Sequence, residues 1–148
     1  MIKSSKYVKK IRSTNVYDVA NKSPITKAEG LSLQYGNNIL LKREDMQPVF
    51  SFKLRGAYNK LSKLNKNVKN KSVIAASAGN HAQGVAFASL KLGLKATIVM
   101  PVTTPSIKID SVKRFGAKII LSGDNFDEAF KFAKEMSKKK KATFIHHY

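Results

Sequence analysis

Two short stretches hold the residue types that do covalent or acid–base chemistry. In "SFKLRGA" (51–57), Lys53 follows Phe52 at the point where a helix is expected to begin. The positive end of the helix dipole disfavours an ammonium there, so the position is expected to lower the lysine's pKa. The neutral amine that results is what a Schiff base requires. A lysine in a first helical turn is equally read, on its own, as surface decoration. In "SAGNHAQG" (77–84), Ser77 offers a hydroxyl, Gly79 close backbone approach, Asn80 a directional amide and His81 an imidazole. A turn of this kind between an apolar run and a helix can aim backbone N–H groups at an anion, or it can be a plain polar cap. It lacks the third glycine of a dinucleotide fingerprint and the Gly-Lys-Ser/Thr of a phosphate-binding Walker loop. His81 suits either a general base or a solvated residue at a helix start. His146 and His147 are neighbours, and neighbouring strand side chains alternate faces, so the pair does not converge on one metal. With no cysteine in the chain, thiolate metal sites and disulfides are excluded, and no metal is expected.

The elements around these residues set their positions. From residue 72 onward short β-branched runs alternate with helical patterns: "SVIAAS" (72–77), "KATIVMP" (95–101), "AKIILSG" (117–123) and "ATFIHHY" (142–148) read as strands. Between them, "HAQGVAFASLKLG" is predicted to be a helix stopped by Gly93, and "TPSIKIDSVKRFGA" one that starts near Pro105 and ends before Gly116. "DNFDEAFKFAKEMSKKKK" places Phe126, Ala129, Phe130, Ala133 and Met136 on one face, with Asp124 or Asn125 as cap. This alternation predicts an α/β fold. Its sheet is open, mostly parallel and twisted, with right-handed crossovers and helices on both faces. Ligands of such sheets collect at the carboxyl ends of the strands. The first half is less regular: a strand is expected within "NNILLKRED" (37–45), a helix over 51–64, and a polar connection at "NKNVKNK" (65–71).

The 148 residues are about one domain's length, and 43% hydrophobic content supports an ordinary core. No apolar run is long enough to span a membrane, and the lysine-rich N-terminus lacks a secretory apolar stretch. The formal charge of +19 raises the question of a nucleic-acid partner. Against it, 24 of the 28 basic residues are lysines, spread along the whole chain without interleaved aromatics. A solvated surface is the better account, and no nucleic acid is expected.

Taken together, "LKREDMQPVFSFKLRGAYNKL" (41–61), "SAGNHAQGVAFASLKLG" (77–93) and "IVMP" (98–101) closely resemble the pyridoxal-phosphate enzymes of fold type II, and within them the biosynthetic threonine dehydratases. The resemblance runs from about Val16 to Ile145. It implies that Lys53 holds pyridoxal 5'-phosphate as a Schiff base, that Phe52 packs beside the pyridine ring, and that Asn80 hydrogen-bonds the cofactor's 3-hydroxyl. It implies that Ser77, Gly79 and His81 belong to the loop that receives the substrate carboxylate. The activity implied is deamination of L-threonine to 2-oxobutanoate and ammonia, the first step of isoleucine synthesis, in a cytoplasmic homotetramer with L-serine as a poorer substrate. A serine racemase or a β-replacement synthase would share the lysine and the asparagine loop. In this family the glycine-rich phosphate loop and the isoleucine-sensing region come later than Tyr148, so the chain is expected to be an N-terminal piece. Residues 53–148 would form the small catalytic subdomain, with 1–52 packing against a larger one.

Overall fold

The computed structural model describes residues 4–64 and 71–147. Most of the expected polar connection at 65–71, and Tyr148, lie outside the described residues. In chain order the elements are α1 (Ser4–Arg12), β1 (Ile25–Lys27), α2 (Glu29–Tyr35), β2 (Leu40–Lys42), α3 (Lys53–Ser62), β3 (Ser72–Ala76), α4 (Asn80–Lys91), β4 (Lys95–Met100), α5 (Ser106–Lys113), β5 (Lys118–Leu121), α6 (Phe126–Lys139) and β6 (Thr143–Phe144). Single 3-10 turns occur at Val16–Asp18 and Glu44–Met46.

The alternation seen in the second half of the sequence becomes a four-stranded sheet of order β5-β4-β3-β6, with every pair parallel. The period-two pattern of the strands divides the core. Val73, Ala75, Ile98 and Met100 point to one face, where they meet Ala82, Val85 and Ala86 of α4. Ile74, Ala76 and Val99 point to the other, against Ala129 and Ala133 of α6. Helices therefore cover both faces, as the residue pattern predicted. α4 is buried almost all round because α3 packs on its outer side, with Ala57, Tyr58 and Leu61 joining the same cluster. Gly93 ends α4 with a left-handed φ of +65°, where a residue bearing a Cβ would be strained. At the start of α6 the Asn125 side chain accepts a hydrogen bond from the Glu128 N–H at 3.1 Å, and the Glu128 carboxylate accepts from the Asp124 N–H at 2.9 Å. That exchange satisfies two backbone donors at the helix start.

The first half departs from its expectation. The strand foreseen over 37–45 is only Leu40–Lys42, and it pairs with the unforeseen β1 in a two-stranded antiparallel sheet. It stops because the chain turns at Glu44–Met46, where the Glu44 side chain is drawn to Arg55. α1 and α2 were not foreseen either. Both are short helices whose apolar residues, among them Ile11 and Leu33, stay exposed, so they lack the one-sided burial that makes a helix legible. The last strand is also shorter than the expected 142–148, although the Ile145 N–H still donates to the Ile74 carbonyl at 2.8 Å.

Candidate active site

The strand order fixes where a site can form. β3 leads into α4 on one face of the sheet, whereas β6, its hydrogen-bonded neighbour, is entered from α6 on the other face. Order reverses at β3, and the segments leaving the carboxyl ends of β3 and β6 frame a crevice at this switch point. Ser77, Ala78 and Gly79 leave β3, while Ile145, His146 and His147 leave β6. The first turn of α3 closes the third side.

Lys53 is the first residue of α3. Its Nζ donates to the His147 carbonyl at 3.2 Å and lies 5.5 Å from the centroid of the Phe52 ring. Phe52 is the residue before the helix and stays 58% exposed, so one aromatic face is open beside the amine. The Lys53 N–H is taken by the Ser51 hydroxyl at 3.2 Å. Behind Lys53, α4 comes close enough that a Cβ on Gly84 would stand 3.1 Å from the Lys53 carbonyl oxygen. Glycine at 84 thus lets the two helices meet at the reactive turn.

A cavity of about 580 Å³ opens in front of the amine, lined by Phe52, Lys53, Lys60, His81, Ile145 and His147 among others. Small-molecule sites fall in this range of volume. His81 forms its wall, is only 8% exposed, and has its Nε2 buried without a hydrogen-bond partner. Burial, with smaller contributions from His147, Lys53 and His146, pushes the His81 pKa down to about 4, while a hydrogen bond with the Ile145 backbone works the other way. The imidazole is therefore neutral near pH 7, and its edge meets the His147 ring with centroids 6.3 Å apart. Ser77 is buried, and its hydroxyl accepts from the Gly79 N–H at 3.2 Å, which holds the turn before α4. Gly79 precedes the helix and Asn80 begins it. Asn80 is exposed and stands outside the cavity wall.

Of the residues singled out in the sequence, Phe52, Lys53 and His81 thus share one cavity, and Ser77 and Gly79 shape the turn next to it. The sequence reading missed the segment after β6. There the His147 backbone holds the lysine, a role that no side-chain motif announces.

A family model described as "Pyridoxal-phosphate dependent enzyme" matches residues 16–148. The chain belongs to this family. Among curated relatives it is 56% identical over 139 residues to a tomato chloroplastic biosynthetic threonine dehydratase 1, covering 94% of this chain and 23% of that one. It is 58% identical over 123 residues to the mitochondrial threonine dehydratase of Saccharomyces cerevisiae, covering 83% of this chain and 21% of that one. The chain thus spans just over a fifth of the length of these relatives. Among solved structures, the processed form of tomato threonine deaminase isoform 2 superposes with a TM-score of 0.91 at 51% identity, covering 97% of this chain and 40% of that one. Maize serine racemase gives 0.87 at 28% identity, covering 95% and 43%. The residues of the crevice fit the pyridoxal-phosphate group of the family. They offer a primary amine in a cavity of suitable size, an aromatic face beside it, and a buried imidazole nitrogen without a partner.

Proposed function

We propose that this chain carries the lysine-bearing half of a threonine dehydratase site, which converts L-threonine to 2-oxobutanoate and ammonia with pyridoxal phosphate as cofactor. The observation that supports it best is the Lys53 amine facing the cavity at the switch point of the sheet, between the open Phe52 ring and His81. The identities of 56% and 58% to proteins named threonine dehydratase support threonine as the substrate.

When bound, pyridoxal phosphate supplies an aldehyde for the amine and a ring that withdraws electrons from the substrate's α-carbon. Lys53 would hold the cofactor covalently through Nζ. The same amine, when free, is the base that takes the α-proton. Phe52 would present its open face to the cofactor ring, and Asn80, exposed at the start of α4 next to the cavity-lining His81, would hydrogen-bond the ring hydroxyl with its side chain turned toward the cavity. The turn at Ser77 and Gly79, next to the N-terminus of α4, receives the substrate carboxylate on backbone N–H groups, and His81 closes that end as a neutral group. Residues 1–52 form a segment that packs against a larger subdomain, a role supported by exposed apolar side chains such as Ile25, Leu33 and Leu40.

The test is covalent. Borohydride reduction of the protein loaded with pyridoxal phosphate, followed by peptide mapping, is expected to leave the pyridoxyl group on Lys53, and Lys53→Ala is expected to abolish 2-oxobutanoate formation. Label on a different lysine would remove the proposal. The likeness to maize serine racemase supports a second reading, racemisation of serine. Formation of D-serine without 2-oxobutanoate from threonine would favour it.

A further inference from the structure

The motif "KRED-x-QPV" (42–49) precedes Lys53 and is absent from the cavity lining, yet its side chains join a polar network that reaches α3. Glu44 receives both prongs of Arg55, with Nε at 2.8 Å from Oε2 and one terminal nitrogen at 2.9 Å from Oε1. The Ser23 hydroxyl donates to the same carboxylate at 2.6 Å. Gln47, 1% exposed, closes a two-way bond with the Asn21 backbone, donating to its carbonyl at 2.8 Å and accepting from its N–H at 2.9 Å. Arg55 adds a bond to the Asn21 carbonyl at 3.2 Å and lies 5.2 Å from the Tyr17 ring centroid. Lys42 donates to the Ser23 carbonyl. Three separate pieces of chain, 17–23, 42–47 and α3, are thus joined through one carboxylate.

Arg55 follows Lys53 by two residues in the first turn of α3. At about 100° per residue, side chains two apart point to nearly opposite sides of a helix. Lys53 consequently faces the cavity while Arg55 faces the network. Gripping Arg55 fixes the rotation of the turn about its own axis, and that rotation decides where the Lys53 amine points. The same turn packs closely on α4 at Gly84, where a Cβ would stand 3.1 Å from the Lys53 carbonyl oxygen. Phe52 supplies no side-chain cap to the turn, and the Ser51 hydroxyl takes the Lys53 N–H.

We infer that Glu44 and Arg55 are positioning residues for Lys53, a rotational latch that sets the aim of the reactive amine. The inference rests on the proposed role of Lys53, but its geometry is independent of the cofactor. A two-pronged guanidinium–carboxylate contact specifies orientation as well as distance, which a lysine in place of Arg55 does not reproduce.

The test is made on the full chain with two readouts. Trace acetylation with acetic anhydride, quantified by mass spectrometry, measures the reactivity of Lys53 relative to the distant, exposed Lys118. Borohydride trapping measures the pyridoxyl group at Lys53. In Glu44→Gln and in Arg55→Lys, which keeps the charge and stem and disturbs the fold less, the Lys53/Lys118 ratio is expected to change at least about threefold, with a matching fall in trapping. Arg43→Gln, which breaks only the exposed Arg43–Asp45 pair, is expected to change neither. An unchanged Lys53/Lys118 ratio in both latch variants, whatever happens to the melting temperature, would overturn the latch and leave a merely structural ion pair. A shifted ratio in a protein whose wild type traps no pyridoxyl group on Lys53 would support the latch and sink the proposed function instead.

Discussion

Lysine is the commonest charged residue of this chain, and the setting of Lys53 separates it from the others. Its amine faces an open-mouthed cavity, beside an aromatic ring and a buried neutral histidine. The histidine carries a pH prediction. His81 falls from an ordinary 6.5 to about 4 because burial opposes its charged form. Above pH 6.5 neither folded nor unfolded chain protonates it. Between 6.5 and 4 the unfolded chain takes up the proton and the folded one does not, so stability is lost as pH falls through that window. The loss is on the order of 3 kcal/mol over the whole window. Urea unfolding at pH 7 and pH 4.5 is expected to show most of it, and His81→Gln is expected to flatten the difference. Glu44 is silent in most of this window. Arg55 holds its carboxyl at about 2 against an ordinary 4.5, so its stabilisation is complete above pH 4.5 and lost only as pH falls from there toward 2. An undiminished pH difference in His81→Gln would show that another group causes it. Lys53 and His81 were legible as chemistry-bearing types at element starts. The His147 carbonyl was not, because every residue has a carbonyl and only the sheet order brings this one to the amine.

Element boundaries follow local chemistry where that chemistry is strong. α6 starts at its asparagine cap, and α4 ends at a glycine in the left-handed region. The contact between α3 and α4 is a different matter, since it depends on what glycine at 84 leaves out. A methyl group there would lie 3.1 to 3.3 Å from the Lys53 carbonyl and the Leu54 nitrogen, backbone atoms that yield only if a helix moves. Gly84→Ala is expected to destabilise the fold by about 1–3 kcal/mol through overpacking. It should also lower pyridoxyl trapping at Lys53 by displacing the turn. Thermal unfolding and the trapping assay check the two effects, and a variant as stable and reactive as the parent would show that the helices have room to spare. In the sequence Gly84 read only as one more residue of a helical pattern. Its neighbour across the interface is 31 positions earlier in the chain, beyond the reach of any local rule.

At the scale of the molecule the +19 charge is spread along the chain, and among the described residues no helix is long and apolar enough to cross a membrane. If the lysines are a solvated surface, binding to duplex DNA should be weak, indifferent to sequence and gone at physiological salt. A filter-binding titration across salt concentrations measures this, and submicromolar sequence-selective binding at physiological salt would contradict it. The sequence alone determined the α/β class, the covering of both sheet faces and the order of elements after residue 72. Each of these is written in local period, capping chemistry or residue type, which neighbouring positions suffice to express. The tertiary structure alone decided that β6 lies beside β3, that the turn after β3 therefore opens onto the segment after β6, and that Asn80 stands outside the cavity wall. It also placed "KRED-x-QPV" away from the cavity, with its Glu44 bonded to Arg55 of α3. Strand order and the rotation of a helix are set by contacts between residues far apart in the chain, and no single stretch of sequence encodes them.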